Sequence, residues 1–368
     1  MIALLMQSNS KTRMNQTEIM LELLRSSVLD NVPVIPETVV IDWDGLMDIS
    51  AEQGVLAWVW DGICKLPPNQ RPPRLQSINW GLSAQEVWDT YCKQLMVLEG
   101  MVNTCQENNV RLLLLKGIGL SRLYPKPESR QSSDIDIYLF DDYEKGNRLF
   151  TGHDIKRIDK HASFQIDTVL IENHYTFFEP NTRQKKRILK YINSTLDDVR
   201  LTSYGYYVLC PMADMVFLTL HTLKHFTEER LIQLKNIVDF AMYLHTYRNS
   251  LPSDKCFNIL SELGLVKGFE MLVCMSEIIT GLNYSMYHYN LLPADDVKEI
   301  KKILISNYTY WERNSNPFSR RSEAHCIFKY IPRNISYYTM TIQFLSRWIR
   351  LLCKIPANVS IKAWLRER

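Results

Sequence analysis

Residues 111–139 read RLLLLKGIGLSRLYPKPESRQSSDIDIYL, and this stretch decides the fold. Arg111 to Leu115 carries four consecutive leucines after the Asn108-Asn109 turn, the length of a buried strand, and it stops at Lys116-Gly117. The spacing predicts a short helix from Ile118 to Tyr124, ended by Pro125 and Pro127. A polar loop through Arg130 and Gln131 then enters Asp134-Ile135-Asp136-Ile137-Tyr138-Leu139, which alternates as a strand. The isoleucines and Leu139 take one face and anchor it in a sheet, and the two acids take the other.

Outward from this stretch the chain changes character. Upstream, helix-period patterns run over Thr17 to Val28 and Trp43 to Gly62. Prolines at 67, 68, 72 and 73 break the chain before a long periodic pattern from Ala84 to Asn108. Downstream, Ala162 to Ile166 and Val169 to Tyr175 flank Asp167-Thr168 as a hairpin, and Tyr204 to Leu209 reads as a later strand. From Pro211 the helical period returns, through Leu231 to His245 and Val266 to Ile279. The expected class is α+β, a mixed sheet flanked by N-terminal and C-terminal helical regions. Its expected units are helical residues 1–100, an α/β unit at 101–210, a helical domain at 211–310 and a basic helical tail at 311–368.

With 46% hydrophobic and 23% charged residues, 13 glycines and 15 prolines in 368, collagen-like, low-complexity and disordered classes are excluded. The net charge of +3 announces no nucleic-acid or membrane partner by itself. It is unevenly spread, because eleven Lys or Arg from Arg313 onward face only Glu323 and Glu367. Aromatic residues interleave those cations, a pattern that suits RNA or a polyanionic surface, but a packed terminal helix with a solvated face is the favoured reading. Eight cysteines stand singly, without the pairing of a zinc site, and read as reduced. Ile2 to Met6 has no preceding basic residue or cleavage site, and no apolar run reaches 18 residues, so a cytoplasmic protein without a transmembrane segment is expected.

Asp134 and Asp136 lie two apart on a strand, with Cα atoms roughly 7 Å from each other on one face. Carboxylates so placed can hold divalent cations that activate an attacking oxygen and neutralise a leaving phosphate. Alone, Asp-x-Asp also occurs on solvated strands; the buried strand ending in Lys-Gly supplies the context. Gly117 lets backbone approach a phosphate, Lys116 adds a point charge and Arg130 is a second phosphate contact. The plainer alternatives are a tight turn at Gly117, a sheet-edge cation at Lys116 and a solvated or Asp-paired Arg130. Glu172 interrupts an apolar strand and shares its face with His174, so it can ligate metal or take a proton while His174 positions substrate. Asp167 is the weaker choice because it falls in the turn. His221 and His225 are four apart on a helix with Asp239 on the next; His221 and Asp239 are read as lining the cleft, or as a hydrogen-bonded pair across the helices.

These stretches together resemble the nucleotidyltransferase superfamily, with its DNA polymerase beta-like minimal catalytic domain, and within it the bacterial group of uncharacterised nucleotidyltransferase family proteins. The resemblance is carried by Leu112 to Gly117, by Leu123-Tyr124-Pro125-x-Pro127-x-x-Arg130 with Asp134 to Leu139, and by Ile171-Glu172-Asn173-His174. Asp42-Trp43 to Gln53-Gly54-Val55, and Leu220-His221 through Asp239, look like the same group. It implies a Mg²⁺-dependent (or Mn²⁺-dependent) enzyme that uses Asp134, Asp136 and Glu172 to move a nucleotidyl group from an NTP to a hydroxyl-bearing acceptor, whether small molecule, protein or RNA. Two departures stand out: Lys116-Gly117 replaces the usual Gly-Ser or Gly-Gly, and the third acid is Glu where Asp is usual. They motivate the alternative of a catalytically degenerate protein that binds nucleotide or a partner.

Overall fold

The computed structural model describes residues 14–152, 160–225 and 233–288. Helix α1 (Gln16–Val28) opens on a capping box: Asn15 Oδ1 accepts from Glu18 N and Glu18 Oε2 accepts from Asn15 N, both at 3.0 Å. α2 (Trp43–Glu52) is capped by Asp42 and ends at Gln53-Gly54, where Gly54 takes φ +67°. The break separates it from α3 (Leu56–Lys65), so Trp43 to Gly62 holds two helices. α3 lies close on α1, because a Cβ at Gly62 would meet the Leu23 carbonyl oxygen at 2.3 Å.

α4 (Arg74–Glu107) starts directly after Pro73, ten residues earlier than its apolar pattern suggested. Leu75, Ile78 and Leu82 in that first part are exposed and only Trp80 is buried, so one side chain marks the core face there. α4 also runs through residue 100, where the sequence pattern set a boundary between units.

Six strands form one mixed sheet in the order β3-β4-β2-β1-β6-β5. They are β1 (Leu113–Leu114), β2 (Asp134–Tyr138), β3 (His161–Ile166), β4 (Val169–His174), β5 (Arg200–Leu201) and β6 (Tyr207–Val208). β2 pairs parallel with β4 and antiparallel with β1, while β3 and β4 form the expected hairpin. The leucine run contributes only two residues to the ladder, and the helix after it is one turn, α5 (Ile118–Ser121). Behind the sheet, α4 and α6 (Tyr143–Thr151) cover Ile135, Ile137, Leu139 and Ile171, all fully buried. Each such side chain contributes roughly 1.5–3 kcal/mol. That burial pins which face of β2 and β4 turns inward, so the acids must turn the other way.

The remaining helices are α7 (Arg183–Asn193), α8 (Pro211–Lys224), α9 (Leu234–Tyr247), α10 (Ser253–Leu263) and α11 (Val266–Thr280). α1 and α3 share one core with α8, α9 and α11, so helices from the two ends of the described chain pack together. Arg25 of α1 caps the end of α11, donating to the Ile278 and Ile279 carbonyls at 2.7 Å each. No described helix is long and apolar enough to cross a membrane. None of the six described cysteines forms a disulfide. The basic tail read at 311–368 lies outside the described residues.

Candidate active site

Asp134 and Asp136 project from the face of β2 that α4 does not cover. The parallel register sets Asp136 directly beside Glu172 of β4. One carboxylate oxygen from each of Asp134, Asp136 and Glu172 lies within 4.8 Å of the others. The burial is graded: Asp136 is fully buried, whereas Asp134 and Glu172 are partly exposed.

A buried carboxylate needs compensating partners, and Asp136 has an ammonium and an imidazole. Lys116 Nζ lies 2.7 Å from Asp136 Oδ2, and 3.8 Å from Asp134 Oδ2. His174 Nε2 lies 2.8 Å from Asp136 Oδ1. Burial alone would raise the Asp136 pKa; Lys116 and the His174 hydrogen bond outweigh it and hold the carboxyl well below its ordinary range. Burial likewise opposes the Lys116 ammonium, yet Asp136 and then Asp134 raise its pKa above the ordinary lysine value. Glu172 is lowered chiefly by hydrogen bonding with His174, against the effect of its partial burial.

Gly117 follows Lys116 with φ +63° and ψ −128°, open to glycine and strained for other residues. A Cβ there would lie 3.4 Å from the Asp134 carbonyl and from Ser132 Oγ, so the Lys-Gly turn rests against the acid strand.

Arg130 and Asp239 come together, but on each other. Arg130 Nε and Nη2 donate to Asp239 Oδ1 and Oδ2 at 2.9 and 2.6 Å, and Tyr124 Oη donates to Asp239 Oδ1 at 2.7 Å. Both charged side chains are buried, and this bidentate pair ties the loop ahead of β2 to α9. The structure thus places Arg130 and Asp239 in one buried ion pair, and the described hydrogen bonds to the Asp239 carboxylate come from Arg130 and Tyr124. On α8, His221 stacks with Phe217 and pairs with His225 at 3.1 Å between Nε2 atoms. Burial, then the Lys116 charge, pushes the His221 pKa well below its ordinary value, which marks a neutral imidazole in the field of the site.

Two residues escaped sequence reasoning. His161 stands opposite His174 in the hairpin, its Nδ1 at 3.5 Å from Glu172 Oε2. Counting pairs back from the Asp167-Thr168 turn would have found it. Lys160 beside it has its pKa lowered by burial and then by Lys116. Asp167 keeps to the turn with φ +53° and lines a cavity of about 560 Å³ behind the sheet, away from the other acids.

All three donors of the acidic trio are carboxylate oxygens, the hard set that suits Mg²⁺ or Mn²⁺. The trio fits such an ion in donor chemistry and in spacing. A family model described as uncharacterised nucleotidyltransferase matches residues 40–281, from just ahead of α2 to the glycine that ends α11. No curated protein and no solved structure matches.

Proposed function

This chain belongs to the uncharacterised nucleotidyltransferase family, and on that premise we propose that it transfers a nucleotidyl group from an NTP to a hydroxyl-bearing acceptor with the help of Mg²⁺ or Mn²⁺. The observation that carries the reading is the convergence of Asp134, Asp136 and Glu172 from neighbouring strands inside the matched span. Asp134, Asp136 and Glu172 would hold the cation, which supplies Lewis-acid activation and charge neutralisation at the leaving pyrophosphate.

The chain's own groups do the positioning. His174 and Lys116 keep Asp136 ionised and immobile. In place of ligating the cation, the partly exposed Glu172 carboxylate would accept the acceptor's hydroxyl proton. Lys116 brings a positive charge to the mouth of the pair, and Gly117 gives the triphosphate close approach to backbone. Preorganised charge of this kind provides most of the rate in such chemistry. The Lys116–Asp136 ion pair favours a second reading, nucleotide binding without turnover, and product formation separates the two.

The test is calorimetric titration of each of the four NTPs, with and without Mg²⁺, into wild type and Asp134→Ala. Asp134 is the residue to replace, because its carboxylate is partly exposed while Asp136 is buried against Lys116 and His174. Binding of at least one NTP that needs Mg²⁺ and weakens tenfold or more in the folded variant is expected. Absence of Mg²⁺-dependent binding to every NTP by folded wild type would overturn the proposal.

A further inference from the structure

We infer that Lys116 is a tethered counter-cation of the acid pair, so that the site takes up a divalent ion together with a polyphosphate and resists the free ion. The inference rests on the nucleotidyl-transfer reading and specifies what that site binds.

The backbone fixes where this lysine begins. Leu115 N donates to the Asp136 carbonyl at 3.0 Å, which registers the end of β1 against the acid strand, and Gly117 then turns the chain away. The Lys116 side chain, only 16% exposed, is left to reach across the pair, with Nζ at 2.7 and 3.8 Å from the two Oδ2 atoms. Both oxygens of Asp136 thereby face protein groups, Oδ1 hydrogen-bonded to His174 and Oδ2 in ion-pair contact with Lys116. An incoming ion that bonds Asp136 Oδ2 at about 2.0–2.6 Å would lie no more than about 5 Å from the ammonium. At a fully buried carboxylate that repulsion is weakly screened.

A polyphosphate changes the balance. It offers the ammonium a new anionic partner, and a flexible four-carbon stem lets Lys116 follow it off Asp136. The oxygen released is then open to the cation that arrives with the phosphates. Binding of cation and polyphosphate is then positively coupled, each raising the other's affinity by one factor.

Equilibrium dialysis at fixed free Mn²⁺ tests this with wild type, Lys116→Met and Lys116→Arg, with and without inorganic tripolyphosphate. Met keeps the stem and removes the charge, and Arg keeps the charge. Lys116→Met is expected to bind free Mn²⁺ at least tenfold more tightly than wild type, with Lys116→Arg remaining like wild type. Tripolyphosphate should raise the wild-type affinity for Mn²⁺ at least tenfold, and that of Lys116→Met by a smaller factor. Equal affinity of wild type and Lys116→Met for free Mn²⁺ overturns the inference and leaves the transfer reading standing. Should circular dichroism show Lys116→Met unfolded, wild type decides: an Mn²⁺ affinity unchanged by tripolyphosphate overturns it. No Mn²⁺ uptake by any of the proteins, with or without tripolyphosphate, removes the metal reading of the acid trio itself.

Discussion

Replacing Asp239 by Ala tests whether Arg130 is held by protein or is available to a phosphate. Asp239 accepts two guanidinium bonds of Arg130, at 2.9 and 2.6 Å, and the Tyr124 hydroxyl at 2.7 Å. Arg130 is 5% exposed, so without Asp239 its charge stays buried and uncompensated. Breaking one side of such a pair costs about 3–5 kcal/mol, and the orphaned tyrosine hydroxyl puts Asp239→Ala at the upper end. Against a typical total of about 5–15 kcal/mol, that is a third of the stability or more. Urea unfolding followed by circular dichroism measures it, on wild type, Asp239→Ala, Arg130→Met and the double variant Arg130→Met/Asp239→Ala. The double variant should be more stable than Asp239→Ala alone, because it removes the stranded charge, with a coupling of about 2 kcal/mol or more. A loss below about 1 kcal/mol for Asp239→Ala, accompanied by an Arg130→Met protein of full stability that no longer binds NTP, would refute the reasoning and return Arg130 to the phosphates.

Gly117→Ala should lower stability by about 1–3 kcal/mol, since its φ of +63° and ψ of −128° strain any other residue, and should weaken NTP binding as well. Thermal unfolding at the wild-type temperature would contradict it. Asp214, near the start of α8, has its pKa raised to about 6 by burial, against the pull of Arg122 and of a Tyr243 hydrogen bond. A carboxyl raised in the folded state costs stability where the unfolded chain is ionised, so the cost is full above about pH 6 and vanishes below the ordinary carboxylate value of about 3.9. Asp214→Asn should therefore stabilise the protein at pH 7 and not at pH 3.5, as read from urea midpoints; an equal difference at both pH values would dismiss the titration.

What local sequence determined is what depends on neighbours a few residues away. Alternation of Asp134 and Asp136 with Ile135 and Ile137 set the acids on one face, because strand period is two and the apolar face must be buried. Asp167-Thr168 punctuated a hairpin, which put Glu172 and His174 on a common side and makes His161 countable from the turn. The order of the Lys-Gly turn, the acid pair and the third carboxylate already carried the family. The first ten residues of α4 were not legible, since their leucines and isoleucine face solvent and Trp80 is the one fully buried side chain among them.

Tertiary structure alone decided who neutralises whom. Glu172 is the neighbour of Asp136 through a parallel register that the crossover between β2 and β4 sets, not through spacing. Arg130 finds Asp239, 109 residues away, because α9 packs against the loop ahead of β2. Lys116 finds Asp136 because β1 and β2 pair and a glycine turns the chain after it. An ion pair is chosen by which charges are desolvated together when elements pack, and no periodicity along the chain encodes that.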